Sequence, residues 1–356
     1  MGILDWLKLA VEKRVSDLFI GAGHKILFKI DGVILPQTEN ITTPEESEKM
    51  IRDLYGMAKR NIDDFIKNGD DDFPVSVPGL ARFRICTYRQ RSTMSVNIRV
   101  VLFELPDYKE LNIPDEVMDI ANKKNGLVLI TGSANSGKTT TLACIVNAIN
   151  RKRNCHIITL EDPIEYLHRD DVSVISQREI ITDTESYLTA LRSSLRQSPD
   201  IILLGEMRDY ETIKTAMTAA ETGHLIISTL HTVGAVNTLD RIIDVFPPGQ
   251  QQQIRVQLSM VFQTTVTQML VPHISGGQIP AFEIMHCNSG IRNLIRESKT
   301  HQIDSVIRSS VNEGMISMDM YLLKLYNSGK ITERTAIGYA TDADQMERRI
   351  KAAAPV

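Results

Sequence analysis

Residues 126–150, GLVLITGSANSGKTTTLACIVNAIN, restrict the possible folds of this chain more than any other stretch. An apolar run from Leu127 to Ile130 reads as a buried strand. Gly132, Ser133, Ala134, Asn135, Ser136, Gly137, Lys138 and Thr139 then fit G-x-x-x-x-G-K-[ST], and Leu142, Ile145, Val146 and Ile149 fall on one face of a following helix. Strand, loop and helix in that order predict a phosphate-binding loop for ATP, with Thr140 extending it into the helix. Backbone N–H groups at a helix N-terminus can converge on one triphosphate, and glycines let the chain approach it closely. Lys138 would neutralise the β/γ-phosphate oxygens, and the Thr139 hydroxyl would ligate Mg²⁺. Asn135 stands where glycine is common; asparagine tolerates the left-handed conformation better than most residues, so the loop can still close.

At 356 residues the chain is long for one compact domain, and two are expected. The net charge of −4, without a basic tract, does not suggest nucleic-acid binding. Cys86, Cys144, Cys155 and Cys287 lack C-x-x-C pairing, so neither a zinc site nor a disulfide framework is expected, and a reducing cytosol suits them. No apolar stretch has the length to cross a bilayer, and charges interrupt the N-terminal residues. A cytoplasmic protein is expected, with a first helix over Ile3, Leu4, Trp6, Leu7, Leu9, Ala10 and Val11 packing on its own domain.

Three short strands are expected at Leu18–Ile20, Ile26–Ile30 and Val33–Leu35, with Asp31-Gly32 as a hairpin turn. A helix from Pro44 capped by Thr42 or Thr43 follows, then a helix from Ala58 to Lys67. Residues 70–74 and the segment Val75–Val77 lead to Ala81–Tyr88, where Arg82, Arg84 and Cys86 alternate with Phe83, Ile85 and Thr87. Another strand, Met94 to Leu102, carries Arg99. The arginine row has two readings: solvated side chains on a strand, or phosphate contacts delivered to another subunit. Glu104 to Pro114, with prolines near both ends, is expected as the inter-domain linker between residues 1–103 and 115–356.

The second domain alternates strands and helices. His156–Leu160 runs into Glu161-Asp162-Pro163-Ile164-Glu165, Ile201–Leu204 runs into Gly205-Glu206, and Leu225–Leu230 is flanked by His224 and His231. Polar groups at carboxyl ends of parallel strands sit where open α/β sheets bind ligands. Phosphoryl transfer to water needs a group that orients the water and cations that stabilise the transferring phosphoryl. Glu165 or Glu161 could polarise the water, Glu206 occupies a Walker B position for Mg²⁺, directly or through water, and His231 could sense the γ-phosphate. Residues 300–351 read as helices separated at 312–314 and 327–329, with a frayed tail AAAPV.

ITLEDPIEYLH, SLRQSPDIILLGEMRD, AAETGHLIISTLHT and DRIIDVFP, following the phosphate loop, closely resemble the secretion ATPase superfamily, whose hexamers drive type II secretion and type IV pili. SGIRNLIRE, with Ile291, Arg292, Asn293, Leu294 and Ile295, resembles the AIRNLI signature of the PilT-type pilus retraction ATPases. SDLFI, FKIDG and PGLARFRI resemble that family's PAS-like domain. The resemblance implies an α/β protein: an N-terminal PAS-like α/β domain, then a RecA-like P-loop ATPase domain with a helical C-terminal region. It also implies Glu165 as catalytic glutamate, Glu206 as Walker B residue, His224 and His231 as His-box residues, and Arg82, Arg84 and Arg99 as arginines that approach nucleotide at subunit boundaries. A homohexamer at the cytoplasmic face of the inner membrane is expected, with a platform protein and a homologous ATPase as partners. Ser133-Ala134-Asn135 replaces the family's Pro-Thr-Gly, Asn125 stands where arginine is common, and Gly290 replaces the first alanine of the signature. These departures leave open an accessory paralogue or a type IVB secretion-system ATPase of low turnover. By helical spacing alone, Ile291, Leu294 and Ile295 would be buried and Arg292, Arg296 and Glu297 would face out.

Overall fold

The computed structural model describes residues 1–30, 32–101 and 105–353. It divides into two compact units: residues 1–104 with 165–167, and residues 105–164 with 168–356.

The first unit is built on one antiparallel sheet. Its strands are β1 (Asp17–Gly21), β2 (Leu27–Ile30), β3 (Val33–Pro36), β4 (Asp70–Val77), β5 (Ala81–Gln90) and β6 (Thr93–Val101), in spatial order β3-β2-β1-β6-β5-β4. Helices α1 (Ile3–Glu12), α2 (Pro44–Ala58) and α3 (Asp63–Asn68) supply the remaining apolar surface. Leu7, Leu54, Phe28, Phe65, Phe83, Ile85 and Ile98 are sealed from solvent in the shared core. The alternation in β5 holds, with Phe83, Ile85 and Thr87 buried while Arg82 and Arg84 are half-buried on the other face.

Thr43 is the cap of α2: its hydroxyl accepts the Glu46 N–H at 3.2 Å while Glu46 accepts the Thr43 N–H at 2.9 Å. The expected helix Ala58–Lys67 is corrected. Helix α2 runs to Ala58 and stops at Lys59 in the left-handed region, φ 52°; a new helix begins only at Asp63, whose N–H bonds the Asn61 side chain. Residues 70–77 form one strand through Pro74, because β4 is the sheet edge, where proline removes no ladder bond that a neighbour needs. The expected turn residue Asp31, the strand end Leu102 and the linker start Glu104 lie outside the described residues.

In the second unit, β7 (Gly126–Thr131), β8 (His156–Glu161), β9 (Val174–Glu179), β10 (Ile201–Leu204), β11 (Leu225–Leu230), β12 (Phe262–Pro272) and β13 (Gln278–His286) form a sheet in order β13-β12-β7-β11-β10-β8-β9. All neighbours are parallel except β12 and β13. Helices cover both faces, which is why β7, β10 and β11 are buried along their whole length and mostly apolar. Leu127 and Leu129 enter one core with α6 (Tyr187–Ser194), α7 (Tyr210–Glu221), α8 (Ala235–Asp244), α9 (Pro248–Val261), α10 (Ser289–Arg296) and α11 (Ile303–Ser309). Val128 and Ile130 enter the other with α4 (Asp115–Met118), α5 (Lys138–Asn150), α12 (Met318–Asn327), α13 (Glu333–Tyr339) and α14 (Ala343–Ala353).

Residues 105–114 are grouped with the second unit. Ile113 is buried in the second core and Leu105, Tyr108 and Leu111 pack on it, so the apolar content of this segment binds it to the second unit. Of the tail expected to fray, Ala352 and Ala353 continue α14, and residues 354–356 lie outside the described residues.

Candidate active site

Strand β7 ends at Thr131 and α5 begins at Lys138, with Gly137 as its cap at φ 85°. Gly132 has φ 140°, and a Cβ there would lie 2.2 Å from the Gln268 carbonyl oxygen and 2.7 Å from Ser136 Oγ. A Cβ on Gly137 would lie 2.8 Å from Gln268 Nε2. Gly132 is therefore demanded by space as well as by conformation, and Gly137 by conformation. Asn135 takes φ 61°, the left-handed geometry that its side chain tolerates.

The loop tip, Ser133 to Asn135, is exposed, whereas Ser136 and Lys138 are buried. Lys138 Nζ folds back onto the loop, donating to the carbonyl oxygens of Gly132 at 2.9 Å and Ser133 at 2.6 Å. Burial pulls its pKa down and the charge of Glu206 pushes it back up. The half-buried Thr139 and Thr140 follow in the first turn of α5, where backbone N–H groups lack helical partners. This donor set fits a triphosphate. Among the described residues no group of three or more His, Cys, Asp or Glu could hold a metal ion unaided. The Thr139 hydroxyl and the Glu206 carboxylate are oxygen donors of the kind that Mg²⁺ takes beside phosphate oxygens.

Neighbouring strands β8, β10 and β11 carry Glu161, Glu206 and His231 to their carboxyl ends. Glu206 is 13% exposed, ion-paired with Arg208, and 3.6 Å from His231 Nε2. Both border a cavity of about 380 Å³ together with Arg208, Thr229 and Arg241. Glu161 Oε1 accepts the Thr159 hydroxyl at 2.6 Å and Gln177 Nε2 at 3.3 Å, which fixes its direction.

His224 is corrected. It stands at the amino end of β11, where its carbonyl accepts the Gly126 N–H at 3.0 Å, so in this unit it is a strand length from the loop that leaves the opposite end of β7. Its ring bonds the Ala219 carbonyl instead, at 3.0 Å. Glu165 is exposed and falls in segment 165–167, grouped with the first unit. Within the first unit Arg84 and Arg99 are direct cross-strand neighbours. Arg84 Nε bonds Asp72 at 2.9 Å and Arg99 Nε bonds the buried Asp17 at 3.1 Å. Arg82 lies two residues before Arg84 on the same face.

In α10, Ile291 and Ile295 are buried and Leu294 is half-buried, while Asn293 bonds Glu297. Arg292 does not simply face out: Nη1 donates to the carbonyls of Ser259 at 2.6 Å and Met260 at 3.0 Å, satisfying the end of α9. Sequence reading missed three further polar residues. Gln268, 3% exposed, lines the phosphate loop. Glu179 accepts the N–H of Ile164, the residue before Glu165, at 3.1 Å. Glu283 accepts the Ala235 N–H at 2.8 Å where α8 begins after the His231 loop. Gln268, Glu179 and Glu283 lie in β12, β9 and β13, strands that the sequence reading does not anticipate, so no signal marked them.

The model for the Type II/IV secretion system protein family matches residues 3–335. The chain belongs to that family. Within it, the chain is of the PilT type. It is 39% identical over 340 residues to the Type IV pilus retractation ATPase PilT of Pseudomonas aeruginosa, covering 94% of this chain and 97% of that protein. It is 36% identical to the Type IV pilus ATPase PilU of the same organism, covering 97% and 90%. A crystal structure of the pilus retraction motor PilT with bound ADP superposes with a TM-score of 0.90 at 40% identity, covering 98% of this chain and 99% of that one.

Proposed function

We propose that this chain is a hexameric ATPase that uses ATP hydrolysis to retract a type IV pilus. The observation that carries the reading is the loop from Gly132 to Thr139, folded to receive phosphate at the carboxyl rim of a parallel sheet, in a chain that aligns over nearly its full length with a pilus retraction ATPase. The ADP in the related crystal structure supports a nucleotide at this loop. Lys138 and the α5 N-terminus bind and orient the phosphates, Thr139 and Glu206 would hold Mg²⁺, Glu161 or Glu165 orients the attacking water, and His231 contacts the γ-phosphate from beside Glu206. Bound Mg²⁺ supplies charge stabilisation at the transferring phosphoryl. Arg82, Arg84 and Arg99 serve a neighbouring subunit, so closing one subunit on the next turns hydrolysis into rigid-body motion.

No helix of the described residues is long and apolar enough to cross a membrane. We assign membrane work to a platform protein that the ring engages at the inner face of the inner membrane. The departures in the phosphate loop favour a second reading, an accessory ring that reinforces a homologous motor with little turnover of its own. The exposed Ser133-Ala134-Asn135 tip is where such a difference would reside. ATP turnover measured against oligomeric state, for the wild type and Glu165→Gln together, decides. Hydrolysis confined to hexamers and lost in the variant supports the motor; hexamers that bind ATP without turnover support the accessory ring.

A further inference from the structure

Tyr187 opens α6, directly after the cap Ser186. A Cβ on Gly205 would lie 2.7 Å from the Tyr187 hydroxyl oxygen, 3.2 Å from the Leu160 carbonyl oxygen and 3.5 Å from Glu161 Cα. Gly205 does not have a positive φ, so glycine is required here by space, and the phenol is what takes that space. The hydroxyl is thus wedged between the carboxyl ends of β8 and β10. On one side stands Glu161; on the other, Glu206 is the residue after Gly205. Burial raises the phenol's pKa, and the charges of Glu206, Asp162 and Glu161 raise it further, so the group is a neutral donor throughout the working pH range.

We propose that Tyr187 is a positioning residue of the hydrolytic centre, its O–H holding the Glu206 carboxylate through one water molecule in the orientation that receives Mg²⁺. The inference rests on the ATPase reading above, with Glu206 as the metal carboxylate. A phenol suits the task because it constrains a carboxylate without adding charge beside the phosphates. The partly buried ring packs on the apolar core to which Leu160 and Leu204 belong.

Tyr187→Phe keeps the ring and deletes the hydroxyl. Two quantities are read in the full chain: steady-state ATP turnover, and ADP affinity by calorimetry with and without Mg²⁺. The expected result is a roughly tenfold lower kcat with KM unchanged, the size of one lost orienting hydrogen bond, and a fall of about the same factor in the gain of ADP affinity that Mg²⁺ brings. Affinity for ADP without Mg²⁺ and the melting temperature stay at wild-type values. An unchanged Mg²⁺ gain overturns the proposal, as does a loss of metal-free ADP affinity together with thermal stability, which would make the phenol a packing group. If the wild type proves inactive, the motor reading fails by itself, while the Mg²⁺ gain still decides the role of Tyr187.

Discussion

Thr141 donates its hydroxyl to the side-chain oxygen of Gln268 at 2.7 Å, tying the phosphate-loop helix to a strand 127 residues further along. The same Gln268 closes on Gly132 through its carbonyl and on Gly137 through its amide nitrogen. One buried residue thereby fixes the loop's outer wall, its main chain at Gly132 and its side chain at Gly137. Gln268→Met, close in volume, leaves the Thr141 hydroxyl without its acceptor. A stability loss of about 1–3 kcal/mol is expected in urea unfolding, with weaker ADP binding. Wild-type values for both would show that the contact is incidental.

Lys138→Ala and Glu165→Gln separate binding from chemistry. The first removes the cation that sits over the loop, so ADP and ATP affinity should fall by at least tenfold in calorimetry. The second keeps nucleotide affinity and drops turnover by about two orders of magnitude, since it replaces a carboxylate base with an amide of the same shape. Full turnover in Glu165→Gln would transfer the role to Glu161.

His168 gives a pH dependence with a defined sign. Burial lowers its pKa from 6.5 to about 4, so between those values the unfolded chain binds a proton that the folded one refuses. Stability is lost as pH falls through this window, by roughly 2 kcal/mol for a half-buried ring. His168→Gln should flatten the slope of unfolding free energy between pH 6.5 and 4. An unaltered slope would place acid sensitivity elsewhere.

Arg99 has a partner in its own unit, Asp17, which is 5% exposed and 4.0 Å from Lys29. Because the arginine is largely exposed, Arg99→Ala should cost only about 1 kcal/mol of stability. A role toward a neighbouring subunit predicts a much larger loss of turnover, partly restored on mixing Arg99→Ala with Lys138→Ala subunits. Loss of turnover that tracks stability, with no restoration, would leave Arg99 as a partner of Asp17 alone.

The motif-bearing strands were legible in the sequence because their chemistry is local. Leu127–Ile130, Ile201–Leu204 and Leu225–Leu230 are apolar on both faces, and loop and helix follow β7 without interruption. Strands β9, β12 and β13 were not expected. In β12 the residues Thr264, Thr265, Thr267 and Gln268 are all buried, yet their side chains read as surface in the absence of partners such as the Thr131 hydroxyl, 2.9 Å from Thr267. The helix break at Lys59 depended on a single left-handed residue, and the placement of His224 failed because a histidine before a strand and one after it look equivalent until strand direction is known. Arg292 was read outward from periodicity, which cannot see the open carbonyls of α9.

The position of β7 between β11 and β12 also bears on how the chain is made. Gly126–Thr131 finds one neighbour about a hundred residues downstream, and Thr131 meets Thr267 across a separation of 136 residues. During synthesis the nucleotide loop must therefore wait, its strand unpaired on one side, until the ribosome has released the chain beyond β12; long-range parallel pairing of this kind is slow to form. A nascent chain that ends before Phe262 carries the whole phosphate motif and still lacks Gln268, the wall against which that motif is shaped.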